Sequence, residues 1–350
     1  MTTWESVAPD LVAGGQLTYD AACDLMGQIM DGDLGEVRLA SFLSLLAMRG
    51  VGTNELHGLA DAMRDRARPV SLPSNVVDIV GTGGDQAHTV NISTMAAIVI
   101  AAVGVPVVKH GNRASTSSSG SADVLEALGV NLQTTPKQLA ESFSKARIAF
   151  LFANNYHPSM RHAAAVRQAL AFPTVFNVLG PLTNPARPEA SAIGVANLDL
   201  APLVAGVFAR RGNRALIFRG TERGLDELST IEPAAIWEVR GGETQKQIVD
   251  PAEILGVSRS VLDDIVGGDP SENAKAALDV FGGATGPVSD AVVINAAAGI
   301  VAYEHNAEGK TLVERLTDAA TRARAAITEG KALETLHTWA KLSSEDIRPE

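Results

Sequence analysis

The sequence predicts an α/β protein: a small all-helical domain plus a larger α/β domain with a mostly parallel central sheet and flanking helices. Three observations predict it. Apolar residues recur at helical spacing from residue 1 to about 70, with no strand signal. From Val76 onward, short β-branched runs alternate with helical stretches, the pattern of βαβ units. Two consecutive predicted strands then end in unusual glycine- and hydroxyl-rich loops, where open α/β sheets bind ligands.

The elements follow in order. Ala22, Leu25, Met26 and Ile29 form one helical stripe, and Leu56, Leu59, Ala60 and Met63 another. Thr53 is the predicted N-cap of the latter, and Pro69 lies just past its end. Between them, Gly35 to Met48 reads as a third helix ending at Gly50. Val76 to Val80 is the first strand, running into Gly81-Thr82-Gly83-Gly84-Asp85. A helix from about Ser93 to Gly104, a strand Val105 to Val108 and a helix Ala122 to Leu128 follow. Ile148 to Phe152 is a strand, and a helix runs from His157-Pro158 through Leu170. Further strands are predicted at Ser191 to Val195, Ala215 to Phe218 and Ile236 to Val239. Residues from about 260 onward are mainly helical, with Val292 to Tyr303 a buried, alanine-rich helix.

Composition narrows the function class. The chain has 350 residues, one cysteine (Cys23) and a formal net charge of −11. A lone cysteine forms no internal disulfide, so a reducing, cytoplasmic setting is expected. The acidity argues against a nucleic-acid or anionic-membrane partner, which needs a basic surface. No stretch approaches the roughly 20 uninterrupted apolar residues of a membrane span, and the N-terminus lacks an export signal. An enzyme acting on a small molecule is the leading class.

Four segments carry the chemistry. Gly81 to Asp85 holds three glycines, which let backbone N–H groups turn tightly and approach an anion. Alone, this loop is equally a tight strand-to-helix turn. Lys109-His110-Gly111-Asn112-Arg113 places two cations at the next strand end, followed by the hydroxyls of Ser115, Thr116, Ser117, Ser118, Ser119 and Ser121. Cations and hydroxyls beside a helix start suit a phosphate. Between the two loops, Asn91-Ile92-Ser93-Thr94 precedes an apolar helix and can serve capping and anion binding together. Downstream, Asp226-Glu227 lies in Gly224 to Leu228. An isolated acidic pair is usually solvated surface, but beside a polyphosphate it suits Mg²⁺, which takes one or two carboxylates plus waters and phosphate oxygens.

This combination resembles the anthranilate phosphoribosyltransferase family. The resemblance rests on GTGGD (Gly81 to Asp85), NIST (Asn91 to Thr94), the run from Lys109 to Gly129, TVFNVLGPLTNP (Thr174 to Pro185) and GLDEL (Gly224 to Leu228). It covers most of the chain. Pyrimidine nucleoside phosphorylases share the fold but differ in the first loop; they are the alternative, along with a non-catalytic nucleic-acid-binding paralogue.

The resemblance implies transfer of the phosphoribosyl group of 5-phosphoribosyl 1-diphosphate (PRPP) to the amine of anthranilate, a step of tryptophan biosynthesis. It implies PRPP contacts from Gly81, Gly84, Asp85, Thr89, Asn91, Ile92, Ser93 and Thr94, from Lys109, His110, Gly111, Asn112, Arg113, Ala114, Ser115, Thr116 and Ser117, and from Ser121. It implies an anthranilate site of Gly81, Asn112 and Arg167, and two Mg²⁺ ions, one at Ser93 and one at Asp226 and Glu227. It implies a homodimer through the helical domain, and a discontinuous small domain of 1–72 with about 157–188 against an α/β domain of 73–156 and 189–350. No residue is assigned as nucleophile or general base, because the aniline-type amine is already nucleophilic. His110 and His157 are expected to shape or line the pocket. Phe218-Arg219-Gly220 and Arg223 depart from the family pattern and are expected to add positive charge near the metal carboxylates.

Overall fold

Helices α1 (Trp4–Val12), α2 (Tyr19–Asp31), α3 (Glu36–Arg49) and α4 (Thr53–Asp65) open the chain in the computed structural model, which describes residues 2–114, 118–306 and 309–345. Their apolar stripes close on one another: Leu25 and Met26 of α2, Phe42 and Leu43 of α3, and Leu56 and Leu59 of α4 are fully buried. The cap of α4 differs from the prediction. Thr53 is already helical, and the Glu55 carboxylate instead accepts from the Gly52 amide at 2.8 Å. Glycine at the cap leaves room for this, and Glu55 also pairs with Arg49.

The α/β part begins with β1 (Val77–Gly81), α5 (Ile92–Ala102), β2 (Val107–Gly111), α6 (Ser121–Ala127), α7 (Pro136–Ala146) and β3 (Ile148–Phe152). A single turn α8 (Ala153–Tyr156), a 3-10 turn at Pro158–Met160, α9 (Arg161–Leu170) and the short α10 (Phe176–Leu179) lead to β4 (Ala190–Gly194). Then come α11 (Ala201–Arg211), β5 (Arg214–Gly220), β6 (Ala234–Arg240) and β7 (Glu243–Val249). Five helices finish the chain: α12 (Pro251–Leu255), α13 (Pro270–Phe281), α14 (Pro287–Tyr303), α15 (Leu312–Thr328) and α16 (Lys331–Ser344).

The strands form one sheet in the order β3-β2-β1-β4-β5-β6-β7. β3 through β5 in that order are parallel, and β6 and β7 are antiparallel additions. The strand order reverses direction between β1 and β4, which is where open sheets bind ligands beyond their C-terminal ends.

Two predicted features shift. β2 extends to Gly111 instead of stopping at Val108, because Lys109, His110 and Gly111 pair in register with Phe150, Leu151 and Phe152. Lys109 and His110 thus lie in the sheet and not in a loop. β7 has no apolar signature, since it is an exposed edge strand, brought onto β6 through a turn with Gly241 and Gly242 at positive φ. α7, α11 and β7 go beyond the predicted elements.

The sheet is covered on both faces. Against one lie α5 and the alanine-rich α14, buried from Ser289 through Ala302. Gly299 of α14 packs closely there: a Cβ would fall 2.3 Å from Ile100 Cδ1 of α5, which would have to move. Against the other lie α4 and α11, and the core formed there is continuous with that of the N-terminal helices. Ala163 and Val166 of α9 join this second core. Among the described residues, no helix is long and apolar enough to cross a membrane.

Candidate active site

Sheet geometry builds the site's floor. Gly81 and Gly194 end β1 and β4 and stand opposite each other in register. The segment carrying Asp226 crosses directly over them. A Cβ at Gly194 would lie 1.5 Å from the Asp226 carbonyl oxygen, and one at Gly81 would lie 2.3 Å from its Oδ2. Only glycine at both strand ends permits this approach. Asp226 Oδ2 in turn accepts from the Gly83 amide at 2.6 Å, so the first glycine loop and the acidic segment form one unit. Behind it, Asn295 of α14 grips the next peptide. Its Oδ1 accepts from the Leu228 amide at 3.1 Å, and its Nδ2 donates to the Leu228 carbonyl at 2.7 Å.

The first loop is strained as well as glycine-rich. Gly83 and Gly84 have positive φ, and so do Gln86 and His88, a conformation costing a non-glycine residue roughly 1–2 kcal/mol. Such strain concentrates at ligand-binding turns. Among the described residues, nothing accepts from the amides of Gly84, Asp85 or Gln86, which leaves them available to an anion.

Glu227 lies at the start of α5, where its Oε1 accepts from the Ser93 amide at 3.1 Å. A carboxylate here gains from the helix dipole. Lys109 approaches the same place from β2. Its ammonium donates to the Ile79 carbonyl and, at 3.3 Å, to Ser93 Oγ. Lys109, Asp226 and Glu227 are all buried. Burial pushes the Lys109 ammonium pKa down, against the pull of Asp78 and Glu227. Burial and the neighbouring Asp85 push the Asp226 carboxyl up; burial and Asp226 push Glu227 up. Three clustered carboxylates therefore repel one another with only one buried ammonium beside them. Such an excess of hard oxygen donors fits Mg²⁺. Among the described residues, no group of three or more His, Cys, Asp and Glu is placed to hold a metal ion.

The opposite side of β1 and β2 carries a second polar cluster. Asp78, fully buried, accepts from the His110 amide at 3.2 Å and from Asn184 Nδ2 at 2.9 Å. Burial raises its pKa to about 6. His110 Nδ1 donates to the Gly180 carbonyl at 3.3 Å, and His157 Nε2 donates to the Thr183 carbonyl at 3.0 Å. Carbonyls only accept, so these bonds decide each tautomer. Burial holds both imidazoles neutral, with pKa values near 3 and 4. The two rings lie 5.1 Å apart. His110 Nε2 is buried without a partner among the described residues, as is Thr94 Oγ1.

The outer loop differs. Arg113 pairs with Asp123 at 2.8 Å and Glu126 at 2.6 Å, so α6 already offsets its charge. Asp123 Oδ2 also accepts from the amides of Ala114 and Gly120, which closes the loop at both ends. Asn112 Oδ1 accepts from the Arg113 amide, and its Nδ2 donates to Asn154. Ser121 is the first residue of α6 and packs near Gly111. Ser115, Thr116 and Ser117 lie outside the described residues.

Arg167 stands on α9, apart from these loops. Its guanidinium lies over the Phe176 ring at 5.2 Å and has no hydrogen bond or ion pair among the described residues; no bond joins it to Gly81 or Asn112. Partial burial lowers its pKa. Among the described residues, Arg219 and Arg223 form no ion pair with the acidic segment. Arg219 donates to the carbonyls of Ala196 at 2.8 Å and Gly220 at 2.7 Å, and Arg223 is exposed.

Sequence reasoning missed Asp78, Asn184, Asp123 and Asn295. Two had a legible signal: Asp78 is a lone carboxylate in a β-branched strand, and Asn295 a lone amide in an apolar helix.

Comparison with known proteins agrees with this geometry. Residues 10–67 match the helical bundle domain of the glycosyl transferase family, and residues 73–333 match its a/b domain. The anthranilate phosphoribosyltransferase of Arthrobacter sp. (strain FB24) is 50% identical over 341 residues, 97% of this chain and 96% of that one. The crystal structure of anthranilate phosphoribosyltransferase from Thermus thermophilus superposes with a TM-score of 0.87 at 39% identity, over 96% of this chain and 99% of that one. The Saccharomyces cerevisiae enzyme in complex with PRPP and Mg gives 0.85 at 28% identity, over 97% and 98%. The chain belongs to the anthranilate phosphoribosyltransferase family.

Proposed function

We propose that this chain transfers the 5-phosphoribosyl group of PRPP to the amine of anthranilate, releasing pyrophosphate, in tryptophan biosynthesis. The observation that carries the reading is the junction at Gly81 and Gly194, where free amides, a buried ammonium and an uncompensated carboxylate pair converge at the sheet's switch point. Family membership supports the same reading.

The C1–O bond breaks with oxocarbenium character, as in glycoside cleavage. The protein must neutralise the departing pyrophosphate and hold the amine near C1. The amides of Gly84 and Asp85, with Thr89, Asn91, Ile92, Ser93 and Thr94, cradle the diphosphate beside the α5 N-terminus. The segment from Lys109 to Ala114, with Ser121, forms the other wall. Ser93 would hold one Mg²⁺, and Asp226 with Glu227 would hold a second. Bound there, Mg²⁺ supplies charge neutralisation to the leaving group. Lys109 offsets part of the charge of the carboxylate cluster.

Gly81, Asn112 and Arg167 hold anthranilate. The unpaired Arg167 guanidinium is free to take a carboxylate with two parallel bonds. No side chain need act as a nucleophile, and the neutral, carbonyl-bound histidines suit an uncharged lining for an aromatic ring. The helical unit of 1–72 with about 157–188 moves against 73–156 and 189–350 to bring Arg167 toward the phosphate loops and exclude water. The family resemblance supports a homodimer through the helical domain. The setting is the cytoplasm.

The test is the loss of anthranilate fluorescence on mixing with PRPP and Mg²⁺. Turnover abolished by EDTA supports the reading; no turnover at saturating substrates ends it. Arg167→Ala should raise KM for anthranilate about 10–100-fold while leaving KM for PRPP within about twofold, the scale of a lost charge-assisted pair. Equal effects on both would remove Arg167 from the aromatic site.

A further inference from the structure

We infer that Asn273 is a positioning residue for the PRPP cradle, acting through Asn91. The inference rests on the reading that Asn91 and the segment at Ser119 face the diphosphate.

Three hydrogen bonds run in one direction. The Gly268 amide donates to Asn273 Oδ1 at 2.8 Å, Asn273 Nδ2 donates to Asn91 Oδ1 at 2.9 Å, and Asn91 Nδ2 donates to the Ser119 carbonyl at 3.0 Å. Side-chain amides are ordinarily free to flip, because oxygen and nitrogen fill the same space. Here both ends are backbone groups: a peptide N–H only donates and a peptide carbonyl only accepts. Each amide's orientation is therefore decided by its neighbours, and a wrong flip at either residue sets oxygen against oxygen or nitrogen against nitrogen.

The relay ties together parts far apart in the chain. Asn273 is buried on α13, Asn91 is the N-cap residue of α5, and Ser119 precedes α6. Its base is independently fixed. Val90 donates to the Ile265 carbonyl at 3.0 Å, Gly267 donates to the His88 carbonyl at 2.8 Å, and Thr89 bridges Val266. Gly267 has to be glycine for this contact, since a Cβ would lie 2.9 Å from Val90 N and 2.7 Å from Asn273 Oδ1. A C-terminal segment thus presses on the strained first loop, and Asn273 carries that registration through Asn91 to the opposite wall. With the relay intact, the two walls are already at their working separation, so binding need not order them.

The experiment compares the wild type with Asn273→Asp, Asn91→Ala and the double variant. Asn273→Asp keeps the shape and the bond from Gly268 but turns the donor facing Asn91 into an acceptor. PRPP affinity, by calorimetry with Mg²⁺, should fall about tenfold, the effect of one hydrogen bond. The kcat and KM for anthranilate should stay within about twofold. Asn273→Asp should add nothing in the Asn91→Ala background. Amide exchange in the unliganded protein gives a readout that needs no substrate: the peptide containing Ser119 and Gly120 should exchange about tenfold faster. Asn91→Asp, which breaks only the last link, should reproduce that acceleration should Asn273→Asp fold poorly. Additive effects, or unchanged exchange in both variants, overturn the relay. A wild type that binds no PRPP overturns the functional reading instead, and the exchange result still decides the relay.

Discussion

Lys109 and Arg113 look alike in the sequence, two cations bracketing one loop, and the structure separates them. Lys109 is 1% exposed, lies in the middle of β2 and feels the charges of Asp78 and Glu227. Arg113 has a side chain 45% exposed and is held by Asp123 and Glu126 of the next helix. A buried charge cannot rearrange cheaply, so the inner end of the cradle is fixed by charge balance and glycine contacts. An exposed ion pair exchanges partners at little cost, so the outer end can hand its guanidinium to a ligand. The same residue class thus performs positional work at one end and adaptive work at the other.

The largest break in this contrast should come from Gly194→Ala. Its Cβ would lie 1.5 Å from the Asp226 carbonyl, so the acidic segment must move. A displacement on the order of 1 Å at a reacting centre costs about 100-fold in rate, and overpacking should cost about 1–3 kcal/mol by denaturant melts. Activity near wild type would mean that the acidic segment need not rest on the strand ends.

Asp226→Asn with Glu227→Gln probes the inner charge balance through pH. Both carboxyls are raised by burial, so the folded protein holds protons that the unfolded chain has released. The metal-free wild type therefore loses stability as pH climbs from the ordinary carboxylate range toward neutrality; the amide variant keeps only the smaller loss from Asp78, which both proteins share. In EDTA the variant should be the more stable by on the order of 1–3 kcal/mol at pH 8, with the gap closing toward pH 5. His110 and His157, whose pKa values are depressed, reduce stability as pH falls below about 6.5, but equally in both proteins. Added Mg²⁺ should stabilise only the wild type. A gap independent of pH would refute the charge-crowding account.

The smallest effect belongs to the outer end. Arg113→Gln should change stability by less than about 1 kcal/mol and raise KM for PRPP about threefold to tenfold. Lys109→Gln, which strands buried carboxylates, should destabilise by about 3–5 kcal/mol. Matching losses from the two would erase the distinction between the ends.

Most of the fold was legible. The helical stripes of α2 and α4, the apolar α3, the β-branched β1, the apolar runs of β3, β4, β5 and β6, and the alanine-rich α14 carry their own periodicity or composition. The polar edge strand β7 was not, because pairing with β6 and not burial makes it a strand. The extension of β2 through Lys109 was missed for the same reason: its partner strand, not its own residues, continues it. Within the site, the glycine loop, the lysine and the acidic pair stood out as clusters. Asn91 stood out only as a cap, and Asn273 not at all, since a single asparagine in a helix carries no local sign of what it faces.

The sequence by itself determined which chemical groups are available: phosphate-facing amides, cations, hydroxyls and one acidic pair, each at an element boundary set by local periodicity and glycine. Tertiary structure alone decided which of them meet. It set Asp226 over Gly81 and Gly194, buried Lys109 while leaving Arg113 paired at the surface, and aligned Asn273 with Asn91. The physical reason is range. Helix and strand preferences act over a few residues, whereas desolvation, charge balance and hydrogen-bond direction depend on neighbours that only the folded chain supplies.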